Sequence, residues 1–440
     1  MRVQLDCEPG SVRRRLIAAS CALLGASTAR SQDVSDPGMV GRLLEGWQIQ
    51  SALAYYHEDG RIQAIEPVIS AAHDTASGGR IDLNFTFDTL SGSSPNGAIP
   101  SRSVQTFASP SAKSFATARH LYDIAPGRLP ADPHYSDTRV GFGGDWTVPL
   151  TRLLRATVGG KFSYEDDFYS VSVNAALERD FNDKNTTVSI GVNDENDLLQ
   201  PIGGAPLPLS DYALFEKGGH KSKNGQGVLL GLTQVMTRNW LAQANLSVDR
   251  FHGYLNDPYK IVSVIDSSGA PAGYVYENRP DSRTRRSVYL ENRVGWRSSS
   301  AAVTFRYMTD TWGVHSDTAQ LRLRWWNAAA DQYIEPSVRW YRQTAADFYR
   351  PWILSTDAQQ TYASADSRLS DFRALTYGLK YGMKLGDRLG RFGRDTTELN
   401  FRLEYYQQTI QNGPAGFGAL NGLDLYPSLK AILFQVSFSY

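Results

Sequence analysis

The chain has 440 residues, with 45 Lys and Arg against 45 Asp and Glu, so its formal charge is zero. That balance excludes the general basic footprint of a nucleic-acid-binding protein. No apolar run reaches the ~18 residues of a transmembrane helix, which leaves strands that cross a membrane by alternation untouched.

The first residues have the pattern of an export signal. Arg13, Arg14 and Arg15 form a charged region, Leu16 to Ala26 an apolar one, and Ser27-Thr28-Ala29 supplies small residues for cleavage. The expected organisation is a signal peptide over 1–29, a flexible periplasmic lead over 30–45 and one barrel over 46–440. Cleavage removes four arginines (Arg2, Arg13, Arg14, Arg15) and two acids (Asp6, Glu8), leaving 41 cations against 43 carboxylates. Cys7 and Cys21 go with it, so no thiol is left for a disulfide, a metal or catalysis. Cys21 as a lipid-bearing cysteine is the alternative, although Ala18-Ala19-Ser20 lacks the usual preceding Leu.

From Trp47 onward the chain alternates with period two, the mark of strands with one apolar and one polar face. The predicted strands begin with Trp47 to Tyr56, Ile62 to Ala71 and Ile81 to Asp88. After a long polar stretch, Ser91 to Asp137, come Arg139 to Trp146, Ala156 to Glu165, Tyr169 to Asp180 and Thr186 to Asn193. A second long loop covers Asp194 to Gln226. Val228 to Val235 and Trp240 to Asp249 form a hairpin, and a third loop reaches Arg285. Ser287 to Trp296, Ala301 to Thr309, Asp317 to Trp326 and Gln332 to Gln343 follow, with Pro336 expected to mark a bulge. A fourth loop holds Phe348-Tyr349 and Pro351-Trp352, then come Ala374 to Met383 and Thr396 to Gln408. A Gly- and Asn-rich fifth loop leads to the last strand, Ala431 to Tyr440. There Ile432, Phe434, Val436, Phe438 and Tyr440 share a face against Leu433, Gln435, Ser437 and Ser439.

These are sixteen strands, within a range of 14 to 18 that the pattern allows. Most have the ~9–11 residues of a tilted membrane strand. The long loops follow strands 3, 7, 9, 13 and 15, all odd, and most connections after even strands are short. Segregation by parity is what a barrel with long outer loops and short periplasmic turns requires. The exceptions are Ala72 to Gly79, Thr147 to Leu154 and Lys384 to Asp395. The expected fold is an all-β, transmembrane, antiparallel up-and-down barrel, whose last strand pairs with Trp47 to Tyr56.

Asp88-Thr89-Leu90-Ser91-Gly92-Ser93-Ser94-Pro95-Asn96-Gly97-Ala98 resembles a signature of a bacterial family, domain of unknown function 3570. Gln105-Thr106-Phe107, Arg179-Asp180-Phe181-Asn182, Asn185-Thr186-Thr187 and Pro201-Ile202-Gly203-Gly204 are similar to it too. The resemblance spans about residue 45 to 440 and departs mildly at Ser91 and Ser93. It implies an outer-membrane barrel in a Gram-negative cell. The family's genes often lie near a periplasmic flavin transferase, a thioredoxin-like protein and a small lipoprotein, which implies an envelope redox or flavin-linked context.

Two sets of residues are candidates for function. Ser-Pro-Asn-Gly has turn chemistry, since Pro presets φ and Gly accepts positive φ. It makes Asp88, Ser91, Ser94, Pro95, Asn96 and Gly97 either a rim anchor or a constriction folded into the lumen. The second set is inward arginines, Arg293, Arg306, Arg322, Arg324, Arg339 and Arg402, with the acids Glu291, Glu335, Glu398 and Glu404. Unpaired, the arginines would filter anions; paired, they would form a salt-bridge lattice that stiffens the wall. The seven histidines fall mostly in predicted loops without metal-binding spacing, so no metal, cofactor or catalytic set is expected. Glu58-Asp59 and Glu165-Asp166-Asp167 are expected to be solvated outer-turn acids, with weak divalent-ion contacts to lipopolysaccharide as the other reading. The sequence thus favours a conduit for small solutes, then a non-conducting scaffold for envelope partners, and last an outer-membrane hydrolase. Expected partners are outer-membrane lipid, lipopolysaccharide, the barrel assembly machinery and periplasmic flavin-transferase or thioredoxin-like proteins; nucleic acid is not expected.

Overall fold

The computed structural model describes residues 46–109, 121–214, 218–357, 360–386 and 397–440. The predicted signal peptide and lead lie outside them. Gln48–Tyr440 forms one compact unit. Its strands in chain order are β1 (Trp47–Glu58), β2 (Ile62–Asp74), β3 (Arg80–Pro95), β4 (Gln105–Ala108), β5 (Leu121–Ile124), β6 (Ala131–Pro149) and β7 (Leu154–Glu165). Next are β8 (Phe168–Phe181), β9 (Thr186–Leu199), β10 (Lys221–Thr237), β11 (Trp240–Gly253), β12 (Ile261–Ile265), β13 (Pro271–Tyr276) and β14 (Ser282–Gly295). The rest are β15 (Ser299–Asp310), β16 (His315–Trp326), β17 (Gln332–Gln343), β18 (Trp352–Leu354), β19 (Phe372–Lys384), β20 (Glu398–Ile410) and β21 (Leu429–Ser439).

Every one of the sixteen predicted strands is in a closed barrel, ordered β1-β2-β3-β6-β7-β8-β9-β10-β11-β14-β15-β16-β17-β19-β20-β21. The closing pair is antiparallel, with Leu53 opposite Val436 and Tyr55 opposite Phe434. Alternation sets the faces. Leu53, Phe85, Phe142, Val173, Ile190, Leu230, Val303, Leu379, Leu403 and Phe434 point outward and are exposed, as a lipid-facing surface requires. Trp146, Trp240, Trp296 and Trp325 ring the short-turn end, and Tyr55, Tyr164, Tyr307 and Tyr405 lie toward the long-loop end. Aromatic rings at two levels bound the apolar band of a membrane barrel, because their amphipathic side chains prefer the interface.

The strands run further than hydropathy predicts. Ser91 to Pro95 and Ala131 to Asp137 belong to β3 and β6, and Asp194 to Leu199 and Lys221 to Gln226 to β9 and β10. Above the apolar band the outward residues turn polar and the alternation fades, while the backbone ladder continues. At the other end the same extension shortens two of the exceptional connections to Thr75–Gly79 and 150–153. Most of the third, at 387–396, lies outside the described residues.

Pro336 makes no bulge. It interrupts the β16–β17 ladder between Arg322↔Ser337 and Trp325↔Ile334, yet the register is the same on both sides. A missing N–H removes a hydrogen bond without adding a residue. The histidines are also placed differently. His57, His73, His134, His252 and His315 lie on strands, His220 just before β10, and His120 outside the described residues. Glu58 is not a solvated turn acid: it is 4% exposed and accepts a hydrogen bond from Tyr56 Oη at 2.9 Å. Asp167 accepts from Tyr259 Oη and is also not free in solvent.

Candidate functional site

The long loops converge at one end of the barrel. After β3, Asn96 Oδ1 accepts the Ala98 N–H at 2.9 Å, and Asn96 Nδ2 donates to Tyr122 Oη at 3.2 Å. Gly97 has φ of +98°, and a Cβ there would collide with the Ile261 carbonyl oxygen. Ile261 N–H donates to the Asn96 carbonyl at 2.9 Å, Ile99 N–H to Ser263 Oγ at 3.1 Å, and Lys260 Nζ to the Pro95 carbonyl. The loop after β3 is therefore seated on β12, in the loop after β11. Those two strands are six places apart around the ring, ~29 Å of wall at ~4.8 Å per strand. Loops rooted that far apart meet over the mouth.

Other loops join them. β18 pairs in parallel with β12, and β13 completes that three-stranded sheet. Arg102 donates to the Ala419 and Asn421 carbonyls at 2.9 and 2.6 Å. The resulting cap has its own apolar clusters. One gathers Ala98, Phe107, Tyr122, Ile261 and Tyr276, and another Val262, Ala363 and Ala365.

A node of six charges ties the cap together. Arg279 bridges Glu277 at 2.7 Å and Asp366 at 2.9 Å; Arg368 pairs with Asp366 and, at 2.9 Å, with Asp257; Lys260 lies beside them. Burial alone would raise the Asp366 carboxyl, but Arg368 and Arg279 outweigh it and hold the group far below the ordinary carboxylate range. Burial pushes Glu277 up, because its single arginine compensates less while Asp257 and Asp366 repel it. Burial likewise lowers the Lys260 ammonium against the pull of Asp257 and Asp366.

The candidate loop residues separate in space. Asp88 is buried in the wall and paired with Arg139 on β6. Ser91 is on the outward face, where its Oγ accepts from Gln63 Nε2 at 3.3 Å. Ser94 and Pro95 are the end of β3, opposite Asp132 and Ala131, so the turn begins only at Asn96. Asn96 and Gly97 anchor the cap.

The arginines form a lattice with their acids. Glu291 receives Arg293, Arg322 at 3.4 Å and Tyr289 Oη; Arg324 Nε donates to Glu335 at 2.6 Å; Arg402 pairs with Glu404. Tyr333 Oη donates to Glu398 at 2.8 Å, with the Arg324 guanidinium 4.2 Å from its ring centroid. Arg306 and Arg339 are on the same inward register, opposite Tyr289 and Thr376. Lys380, which sequence reasoning passed over, joins this wall 5.4 Å from the Tyr333 ring. From β14 to β20 the mid-wall thus presents seven cations, Arg293, Arg306, Arg322, Arg324, Arg339, Lys380 and Arg402, against four carboxylates.

The facing wall has the opposite bias. On β3 to β9 the inward positions carry Asp82, Asp88, Asp137, Asp145, Glu165, Glu178, Asp180, Glu195 and Asp197, against Arg80, Arg139, Arg155 and Lys161. Arg155 spans Glu178 and Asp180 at 3.2 and 2.7 Å, and Lys223 meets Asp197 at 3.1 Å. This acid-rich wall was also missed from sequence. Its signal was available, since these residues share the parity opposite Phe85, Phe142, Phe162, Val173 and Val192. Among the described residues no group of three His, Cys, Asp or Glu is arranged to hold a metal ion.

A closed ring of sixteen strands with an apolar outer face, girdled by aromatics around a charged interior, defines a transmembrane β-barrel. Within that class, the chain belongs to the family described as Protein of unknown function (DUF3570), whose model matches residues 13–440. No curated protein matches the chain in sequence. Among solved structures, a bacterial polysaccharide outer membrane secretin is similar at 9% identity and TM-score 0.42, over 90% of this chain and 98% of that one. The siderophore receptor PirA from Pseudomonas aeruginosa is similar at 8% identity and TM-score 0.41, over 92% of this chain and 62% of the receptor. OpdK from Pseudomonas aeruginosa, solved with vanillate, is similar at 10% identity and TM-score 0.38, over 90% and 98%.

Proposed function

We propose that this chain is an outer-membrane conduit for small polar solutes, gated by its loop cap. The observation that carries this reading is the opposition of a cation-rich wall on β14–β20 to an acid-rich wall on β3–β9. A wall built only for stiffness gains nothing from separating the signs. A transverse field across a wet lumen orients and admits solutes that carry polar groups of both kinds. In this reading lipopolysaccharide surrounds the barrel, the barrel assembly machinery inserts it, and periplasmic flavin-transferase or thioredoxin-like proteins supply or consume what crosses. The protein then acts by transport rather than catalysis. The cap, with its own apolar clusters across the mouth, favours a second reading as a non-conducting scaffold for envelope partners.

Planar-bilayer recording separates the two. The conduit reading expects small conductance steps from the native barrel and larger ones after Asp366→Asn loosens the cap. Absence of steps from both proteins would leave the scaffold.

A further inference from the structure

Arg342 on β17 and Arg373 on β19 stand directly opposite each other across one ladder. Both face outward, since their parity is that of exposed Ile334, Val338, Tyr377 and Leu379. Like charges directly opposite on a sheet face repel and cost stability. Two carboxylates lie near them: Asp317, on the far side of Arg342, accepts from Arg342 Nε through Oδ2 at 2.8 Å, and Asp371, two residues before Arg373, accepts from Asn412 Nδ2 at 2.5 Å. Arg342 nonetheless keeps 56% of its side chain exposed. Arg373 is exposed as well, and among the described residues its side chain has no hydrogen-bond or ion-pair partner. One step lower, beyond β20, the exposed Lys430 lies opposite Gln407, which is itself opposite Leu375.

The height of the pair identifies what it meets. Below Arg373 the outward residues of β19 are Leu375, Tyr377, Leu379, Tyr381 and Met383, and Trp340 lies directly below Arg342. From Arg373 to Met383 is ten residues, ~26 Å of height at ~3.4 Å per residue and ~40° tilt, close to the ~25 Å apolar band of an outer-membrane barrel. The two guanidiniums therefore sit at the upper border of that band, on the long-loop side. This is the level of the outer leaflet's headgroups.

We propose that Arg342 and Arg373, flanked by Lys430, form a binding site for a phosphate group of the outer leaflet's glycolipid. Two guanidiniums facing across one strand spacing can each turn N–H donors onto a single phosphate. Arginine suits this task, because its planar fork matches phosphate oxygens and it is weakly hydrated at an apolar border. The acyl chains of the same lipid then lie along Trp340, Leu375 and Tyr377. The site is independent of whether the lumen conducts.

The test is retention of lipopolysaccharide by the purified, heat-modifiable barrel after detergent exchange, read by native mass spectrometry. Wild type should hold phosphorylated glycolipid. Arg342→Ala with Arg373→Ala should bind it about tenfold more weakly, and the paired Lys substitutions, which keep the charge without the planar fork, should restore part of the difference. A dephosphorylated glycolipid should be retained no better by wild type than by the double Ala variant. Inorganic phosphate should compete poorly, since it lacks the acyl chains. Equal retention by wild type and the Ala variant, or indifference to dephosphorylation, would overturn the site. Full displacement by free phosphate at low concentration would also overturn it, by assigning the arginines to a soluble anion.

Discussion

Ile49 and Tyr440 exchange two backbone hydrogen bonds, Tyr440 N–H to the Ile49 carbonyl at 2.8 Å and Ile49 N–H to the Tyr440 carbonyl at 2.9 Å. The pair extends the β1–β21 ladder to the short-turn rim and makes β21 a central strand, bonded to β1 on one side and to β20 on the other. Val436 lies in its middle, opposite Leu53 and Phe401. Val436→Pro removes a ladder donor and inserts a ring where strands are paired on both sides, a position that proline disfavours in a sheet. The expected outcome is loss of the heat-modifiable species on gels, with Val436→Ile folding normally.

The faces of β20 give a sharper contrast. Leu403 is 53% exposed on the outer surface, while its neighbour Arg402 faces the lumen and pairs with Glu404. Leu403→Arg places a charge against hydrocarbon at a cost of ~2–4 kcal/mol. Its yield of folded barrel should fall well below that of Arg402→Leu, which leaves the lipid face untouched. Equal yields from the two variants would contradict the assignment of faces.

The barrel was legible because lipid imposes period two on every strand it touches. Phe85, Phe401 and Phe434 announce their faces without any tertiary information. The strand ends were not legible. Above the apolar band both faces meet water, so Ser91 to Pro95 and Lys221 to Gln226 look like loop while remaining in the ladder. The cap was least legible. Val262 and Ile265 are fully buried, but five apolar-rich residues between polar loops do not reveal their partner. Asp257, Lys260, Glu277, Arg279, Asp366 and Arg368 come from two loops that only the closed ring brings together. Arg293 and Glu291, by contrast, are two residues apart on one strand, so their shared face was readable and only their pairing needed the structure.

The charge node makes the cap tolerant of mild acid. Asp366 has a folded-state carboxyl pKa below its unfolded value, so its stabilisation is fully present above the unfolded pKa of ~3.9 and is lost as pH falls from there through the depressed value. Glu277 is shifted the other way, so taking up a proton relieves burial of its charge and favours the folded cap. Protease cleavage within the loops should therefore stay slow from neutral pH down to about 4 and rise below it. Asp366→Asn should remove that resistance at neutral pH. It leaves Arg279 buried without one of its carboxylates, a loss on the order of 3 kcal/mol, and conductance should rise as the loops loosen.

Selectivity tests the opposed walls. Arg322→Ala with Arg324→Ala removes two cations from the β14–β20 side and frees Glu335 from its 2.6 Å bond. The cation-to-anion permeability ratio should rise about twofold, because the lining charge shifts toward the acids. Glu178→Gln with Asp180→Asn acts on the facing wall and frees Arg155, which now bridges both carboxylates. Its shift should run the other way, toward anions. Reversal potentials across a salt gradient measure both, with screening expected to shrink each shift as salt rises. Two shifts of the same sign, or unchanged potentials in both variants, would mean that ions do not pass between these walls and that the lattice serves the barrel's rigidity alone.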